Sequence, residues 1–403
     1  MKRLVLLILL LATAVAARPV EQSPAGIDAL LRTAVGKKRV PMAVAMVADD
    51  KRIIHQHAEG APIDAIFAIA SMTKPITSVA VMQLVEAGKV KLDEAAKTYV
   101  PELGSVRVLD GGALRPPKTP VTVRHLLTHT AGFGYEFMNR EIFDLVQKKE
   151  LASVGAGGDG FLKAPLVFDP GTRWEYGIST DWLGRLVERV SGQTLEAYFR
   201  EKIFDPLGMS DSFFDVPPTK QSRVVPTYAR TPDGGLVKAP PRPESPRGGF
   251  YSGGGGLHST APDYLTFVRA LIAGGQLGGH RILSAESVAM MGRNQIGDLA
   301  LRQPLPSLIP ALATDGASLP GALDKFGLGF AINTGTTGTD RGVNTMSWAG
   351  IFNTFFWIDR EKQVGAVLMS QMLPGLDPGP RQLLEEFDRA VYAMKPGRQS
   401  ARP

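Results

Sequence analysis

The amino-acid sequence predicts an α+β fold: an antiparallel sheet flanked by helices, built from both chain ends, with a mainly helical domain inserted between them. Three observations predict it. Strand composition appears near both ends, over residues 41–57 and again over 327–370. Helical spacing of apolar residues fills the middle. The links between the C-terminal strands are short, which suits antiparallel neighbours. On this reading residues 18–89 and 256–394 form the sheet domain, 90–255 the helical domain and 395–403 a flexible tail.

Taken in order, residues 25–35 read as a short amphipathic helix, followed by strands at 41–47 and 52–57 around an Asp49-Asp50-Lys51 turn. From Ser71 onward Ile76, Val79, Ala80, Leu84 and Val85 recur at helical spacing, and Gly88 supplies a stop. Residues 104–120 are turn-rich, and 123–130 read as a short helix ended by Gly132. Two helices are expected at 178–190 and 195–204, separated by Ser191-Gly192. Residues 234–256, rich in Gly, Pro and Ser, read as loop. Helices are expected at 260–272 and 285–291. Residues 295–320 carry many Pro, Leu and Ala with little periodicity and read as a long insertion or lid. Strands follow at 327–334, 344–348, 355–358 and 365–370, and a helix at 381–394 closes the chain.

Composition bounds the function. The 403 residues are 44% hydrophobic and 21% charged, an ordinary globular balance with ample core material. Met1-Lys2-Arg3, an apolar run and Ala14-Val15-Ala16-Ala17 make a signal peptide over residues 1–17, too short for a comfortable membrane span. The protein is therefore expected to be exported, to the periplasm or the medium, without stable membrane insertion once the signal is cleaved. There is no cysteine, which excludes disulfides, thiolate nucleophiles and Cys-ligated zinc. Without Lys2 and Arg3 the 45 basic residues become 43 against 39 acidic ones, leaving +4. These charges are scattered, whereas nucleic-acid binding calls for a concentrated patch.

Three segments can carry chemistry. In Ser71-Met72-Thr73-Lys74 the two polar heads lie three apart, on one helical face. Serine needs a base to become a nucleophile, and lysine can be that base where burial favours its neutral form. Ile66, Phe67, Ile69, Met72 and Pro75 supply apolar flanks, and a helix start aims backbone N–H groups at developing negative charge. A capping serine followed by a surface lysine is the plainer alternative, although no second S-x-x-K occurs in the chain. Tyr176 stands on a Pro- and Gly-shaped loop just ahead of a helix, where its phenol can relay a proton or simply pack. Ser347-Trp348-Ala349-Gly350-Ile351 ends a strand with small residues that let a substrate approach the backbone, or else marks an ordinary bulge.

These three sites, in this order, resemble the serine β-lactamase and penicillin-binding-protein superfamily, best the class C β-lactamase-like branch and, within it, the family VIII carboxylesterases. The resemblance spans nearly the whole mature chain. It includes Phe67-Ala68-Ile69-Ala70-Ser71-Met72-Thr73-Lys74, Val123-Arg124-His125-Leu126-Leu127-Thr128-His129-Thr130-Ala131-Gly132, Pro170-Gly171-Thr172-Arg173-Trp174-Glu175-Tyr176, Gly253-Gly254-Gly255-Gly256-Leu257-His258-Ser259-Thr260 and Trp348-Ala349-Gly350. It implies a β-lactamase/transpeptidase-like fold and an acyl-enzyme on Ser71, with Lys74 and Tyr176 sharing the proton traffic. The backbone N–H groups of Ser71 and Ile351 would form the oxyanion hole, each such donor being worth about 3 kcal/mol. No metal or organic cofactor is implied.

Two departures bear on substrate. Class C β-lactamases carry Tyr-x-Asn and Lys-Thr-Gly, where this chain has Tyr176-Gly177-Ile178 and Trp348-Ala349-Gly350. With Ile178 for an amide and Trp348 for an ammonium, the substrate-binding residues Ile178, Trp348, Ala349 and Gly350 favour a short-chain, uncharged carboxylic ester. A class C-type β-lactamase, a D-Ala-D-Ala carboxypeptidase-like enzyme and a catalytically weak penicillin- or peptide-binding protein are the alternatives. The expected partner is thus a small-molecule ester or β-lactam, with the oligomeric state open. His55 with His57, and His125 with His129, raise a metal reading, but the H-E-x-x-H glutamate is replaced by Leu126. The lack of G-x-S-x-G argues against an α/β-hydrolase.

Overall fold

The two chain ends meet in one sheet. In the computed structural model, which describes residues 24–240, 249–319, 321–335 and 340–394, the main sheet has seven strands. They are β1 (Ala43–Ala48), β2 (Ile53–Glu59), β3 (Lys325–Phe326), β4 (Ala331–Ile332), β5 (Met346–Gly350), β6 (Thr354–Asp359) and β7 (Val364–Met369). Their order is β3-β4-β5-β6-β7-β1-β2, and every neighbouring pair is antiparallel. The ends join where β1 lies on β7, with Val44 opposite Met369 and Ala48 opposite Gly365. The expected signal segment, the tail and part of the 234–256 loop lie outside the described residues.

Five helices frame the sheet and the site: α1 (Pro24–Gly36), α2 (Thr73–Glu86), α3 (Ser179–Ser191), α4 (Ala261–Ile272) and α5 (Pro378–Ala393). Every residue of β1 is buried, so its apolar run serves two layers rather than one. Alternate side chains point to opposite faces. Ala43, Ala45 and Val47 pack with Ile27 and Leu31 of α1 and Leu383 and Phe387 of α5. Val44 and Met46 belong to the inner cluster with Ile76 and Val79 of α2 and Tyr264 and Phe267 of α4. Helix α2 is buried over most of its length because it lies inside that second layer, against α3. No helix among the described residues is long and apolar enough to cross a membrane.

Several local expectations are corrected. The single strand expected over 327–334 is a tight hairpin between β3 and β4, closed by Gly327 N–H donating to Phe330 O at 2.8 Å. Gly329 turns it with φ +89, and a Cβ there would stand 2.1 Å from Ser78 Oγ. The helix expected over 123–130 stops after Leu127, because Thr128 Oγ1 turns back to Arg124 O at 2.8 Å and His129 takes φ +56. The helix expected over 195–204 is α-helical through Phe199 and then a π turn over Arg200–Phe204. The loop expected over 234–256 contains a strand, Leu236–Lys238, paired with Tyr228–Arg230. The irregular 295–320 segment lies near the tyrosine-bearing loops: Leu308 N–H donates to Phe137 O at 2.8 Å and Arg302 reaches Glu175 at 3.3 Å.

Candidate active site

Ser71 sits in a one-turn 3₁₀ segment, Ala70–Met72, that feeds directly into α2. Ala70 holds φ +42, an unfavourable backbone conformation for a residue with a Cβ. Contacts on several sides hold it there. Thr73 Oγ1 donates to Ala70 O at 2.7 Å and itself accepts from Leu257 N–H at 3.1 Å. Ile69 N–H donates to Leu257 O at 3.0 Å, and Tyr264 Oη donates to Met72 O at 2.8 Å. The first N–H groups of such a turn have no partner within the helix.

The three side chains singled out in the sequence converge. Lys74 Nζ lies 3.2 Å from Ser71 Oγ, and Tyr176 Oη shares a 2.6 Å hydrogen bond with the same oxygen. Trp348, midway along β5, donates its indole N–H to Tyr176 Oη at 3.3 Å and lies edge-on to that ring at 4.9 Å. Gly350 brings β5 against the serine turn, since a Cβ there would stand 2.4 Å from Ile69 O. Ile351 follows in the next turn and packs against the cluster of Ala68, Ala70 and Phe352. Ser71, Ala349 and Ile351 are partly exposed, whereas Lys74, Tyr176, Ile178, Trp348 and Gly350 are buried.

Two further groups that sequence reasoning missed complete the seam. Lys74 Nζ also donates to Tyr135 Oη at 3.0 Å and to Gly254 O at 2.7 Å. Tyr135 is reached through Phe133-Gly134, and Gly177 is the reason it can be: a Cβ on Gly177 would stand 2.1 Å from Phe133 O. Gly134, just after the His129-Thr130-Ala131-Gly132 run, was the available signal. Burial, and then the neighbouring Tyr176, pushes the Tyr135 phenol well up, so it stays protonated. Asp181, in the first turn of α3, is also buried, and burial raises its carboxyl while Lys74 opposes the shift.

The histidines take other places. His129 packs among Trp174, Tyr176 and Phe326 at ring distances of 6.3, 5.1 and 5.4 Å. Burial, then Lys74, holds its imidazole well below the ordinary range, so it is neutral. His125 Nδ1 accepts from Thr122 N–H at 3.3 Å in a capping box, and His129 lies beyond the helix end with φ +56, so the two do not share a helical face. His55 and His57 both approach Asp28 Oδ1, at 3.1 and 3.4 Å, at the far edge of the sheet. Among the described residues no three His, Cys, Asp or Glu side chains are arranged to hold a metal.

A buried lysine and tyrosine closing on one serine oxygen is the arrangement of a serine acyl-transfer site. The beta-lactamase family profile matches residues 27–389. The chain belongs to the beta-lactamase family. Its fold is accordingly the β-lactamase/transpeptidase-like one. The chain is 31% identical to the acyltransferase calJ of Penicillium decumbens, over 82% of this chain and 81% of that protein. It is 30% identical to a lovastatin esterase of Penicillium rubens, over 82% of this chain and 86% of the relative. Among solved structures, simvastatin synthase from Aspergillus terreus superimposes with a TM-score of 0.78 at 27% identity, covering 93% of this chain and 99% of that one. The family thus includes both serine hydrolases and acyltransferases, and this chain carries its fold over nearly the whole described length.

Proposed function

We propose that this chain cleaves short-chain, uncharged carboxylic esters through an acyl-enzyme on Ser71. The observation that carries the reading is the closure of Lys74 Nζ and Tyr176 Oη on Ser71 Oγ, with Trp348 rather than an ammonium beside them. Ser71 Oγ bonds to the carbonyl carbon while its proton passes into the Lys74–Tyr176 pair. The carbonyl oxygen becomes an oxyanion facing the backbone N–H groups of Ser71 and Ile351. The C–O bond to the alcohol then breaks, and the alcohol leaves with the proton. Water repeats the sequence on the acyl-serine, releasing the acid and restoring Ser71. The apolar surroundings of Trp348 and Ile178 support a substrate without a carboxylate.

A second reading replaces that water with an alcohol, making the enzyme an acyltransferase. The acyltransferase calJ and a monacolin J acid methylbutanoyltransferase of Aspergillus terreus, 31% identical, support it. A β-lactam substrate is the third, since it passes through the same acyl-serine. One experiment separates them: turnover of p-nitrophenyl butyrate and of a chromogenic cephalosporin by wild type and Ser71→Ala, with and without an added alcohol. Fast ester turnover to free acid, lost in Ser71→Ala, supports the carboxylesterase. Ester product in place of acid supports the acyltransferase, and fast cephalosporin turnover the β-lactamase. Full activity in Ser71→Ala overturns the nucleophile. We also propose export, tested by the N-terminal mass of protein recovered outside the cytoplasm.

A further inference from the structure

Asp181 takes no part in the chemistry just described, yet it is a carboxylate only 1% exposed, set in the same seam as Lys74. Ser252 donates its hydroxyl to Asp181 Oδ1 at 2.6 Å and Gly254 donates its backbone N–H to the same oxygen at 3.0 Å. Gly254 then turns its carbonyl to Lys74 Nζ at 2.7 Å. One glycine therefore joins the carboxylate to the amine that touches Ser71. The fit leaves no slack: a Cβ on Gly254 would stand 2.4 Å from Asp181 Oδ2, and one on Gly253 2.8 Å from Thr180 O. Thr77 Oγ1 ties the loop to α2 by donating to Gly253 O at 2.7 Å. A buried carboxylate is costly unless hydrogen-bonded and charge-balanced, and Lys74 is the cation that acts on this one.

We propose that Asp181 is a positioning residue for acyl transfer: through Ser252 and Gly254 it fixes the carbonyl that holds Lys74 against Ser71, and it supplies the negative charge that balances Lys74. The proposal rests on the reading of Ser71 as nucleophile. The titratable groups that face one another here are Lys74 on α2, His129, Tyr135 and Glu136 on the segment after Leu127, Tyr176 ahead of α3 and Asp181 within it. His129 stays neutral and Tyr135 protonated, so the balance lies among Lys74, Glu136, Tyr176 and Asp181. A nearby negative charge favours a protonated amine and a protonated phenol alike. Removing it changes the charge balance of the whole seam, which the pH dependence of turnover reads.

The test is the pH profile of kcat/KM for p-nitrophenyl butyrate in wild type, Asp181→Asn, Ser252→Ala and Ser71→Ala, with folding checked by circular dichroism. Asp181→Asn is isosteric and is expected to move the acidic limb down by about one pH unit. Its plateau is expected to fall roughly tenfold as Gly254 and Lys74 loosen. Ser252→Ala is expected to move the limb the same way by less. A folded Asp181→Asn whose acidic limb coincides with that of wild type overturns the proposal. If Asp181→Asn does not fold, an unmoved limb in Ser252→Ala overturns it instead. Retained activity in Ser71→Ala refutes the nucleophile reading itself, whereas an inactive Ser71→Ala with unmoved limbs refutes only the role of Asp181.

Discussion

The two faces of the main sheet are packed by opposite rules. On the outer face Ile27, Leu31, Ala45, Trp357, Leu368 and Phe387 form a nearly all-apolar layer against α1 and α5. Its notable polar group, Arg341, lies over the Trp357 ring at 4.7 Å and pairs with Asp388 at 3.0 Å. On the inner face the layer around α2 buries Lys74, Thr73, Thr77, His129, Tyr135, Tyr176 and Asp181 among its hydrocarbons. The outer layer asks of its residues only volume and apolarity, which many side chains satisfy. The inner one asks for particular hydrogen bonds, because an unmatched polar atom in a closed seam costs more than a missing methyl group contributes. Both layers contribute core, but on the proposed function only the inner one carries chemistry, so substitutions should separate the two roles.

The largest separation is expected from Ser71→Ala, with kcat/KM lower by at least about 10⁴-fold and a melting temperature close to wild type. Rate and thermal scans on the same sample check it. Phe387→Ala in the outer layer is expected to do the reverse. It should cost about 3–5 kcal/mol in urea unfolding, with kcat/KM per folded molecule unchanged. A rate loss in that variant would show that the two layers are coupled through the sheet.

The inner layer also makes a pH-dependent contribution. Burial pushes the Asp263 carboxyl up to about 6 against the hydrogen bonds from Asp211 N–H and Ser212. The folded chain then keeps a proton that the unfolded chain gives up near pH 4. The associated stability is full below about pH 4 and is lost as the pH rises through about 6. Wild type should accordingly lose stability relative to Asp263→Asn across that window, by no more than about 3 kcal/mol. Chemical denaturation at pH 4 and pH 7 reads this directly.

Smaller effects sharpen the boundary. Gly177→Ala forces the Tyr176 loop off Phe133 and is expected to lower kcat/KM about 100-fold, with some loss of melting temperature. Trp348→Phe keeps a ring but removes the donor to Tyr176 Oη. It is expected to lower kcat about fivefold and leave urea stability within about 1 kcal/mol. A larger stability loss would mean that the indole serves packing more than the site.

How much of this was legible in the sequence follows from distance along the chain. Ser71 and Lys74 were visible because three residues on a helix bring two heads together whatever the rest of the molecule does. The sheet from both ends was visible because strand patterning is local and short links dictate antiparallel neighbours. Tyr176 and Trp348 became visible through motif order, not spacing. Tyr135 and Asp181 did not, and neither did the place of His129. Tyr135 meets Lys74 across 61 positions and Gly254 meets it across 180, contacts that exist only after Gly177, Gly253 and Gly254 let backbones approach within reach of a hydrogen bond. The hairpin at 327–330 was hidden for the same reason, since a glycine that fits beneath Ser78 reads in isolation as a residue of a strand. Composition and periodicity determine which segments are helix or strand and which heads share a turn. Only the closing of the two chain ends around α2 decides which buried polar groups face the serine, because burial and hydrogen-bond partnership belong to the packed molecule and not to any segment of it.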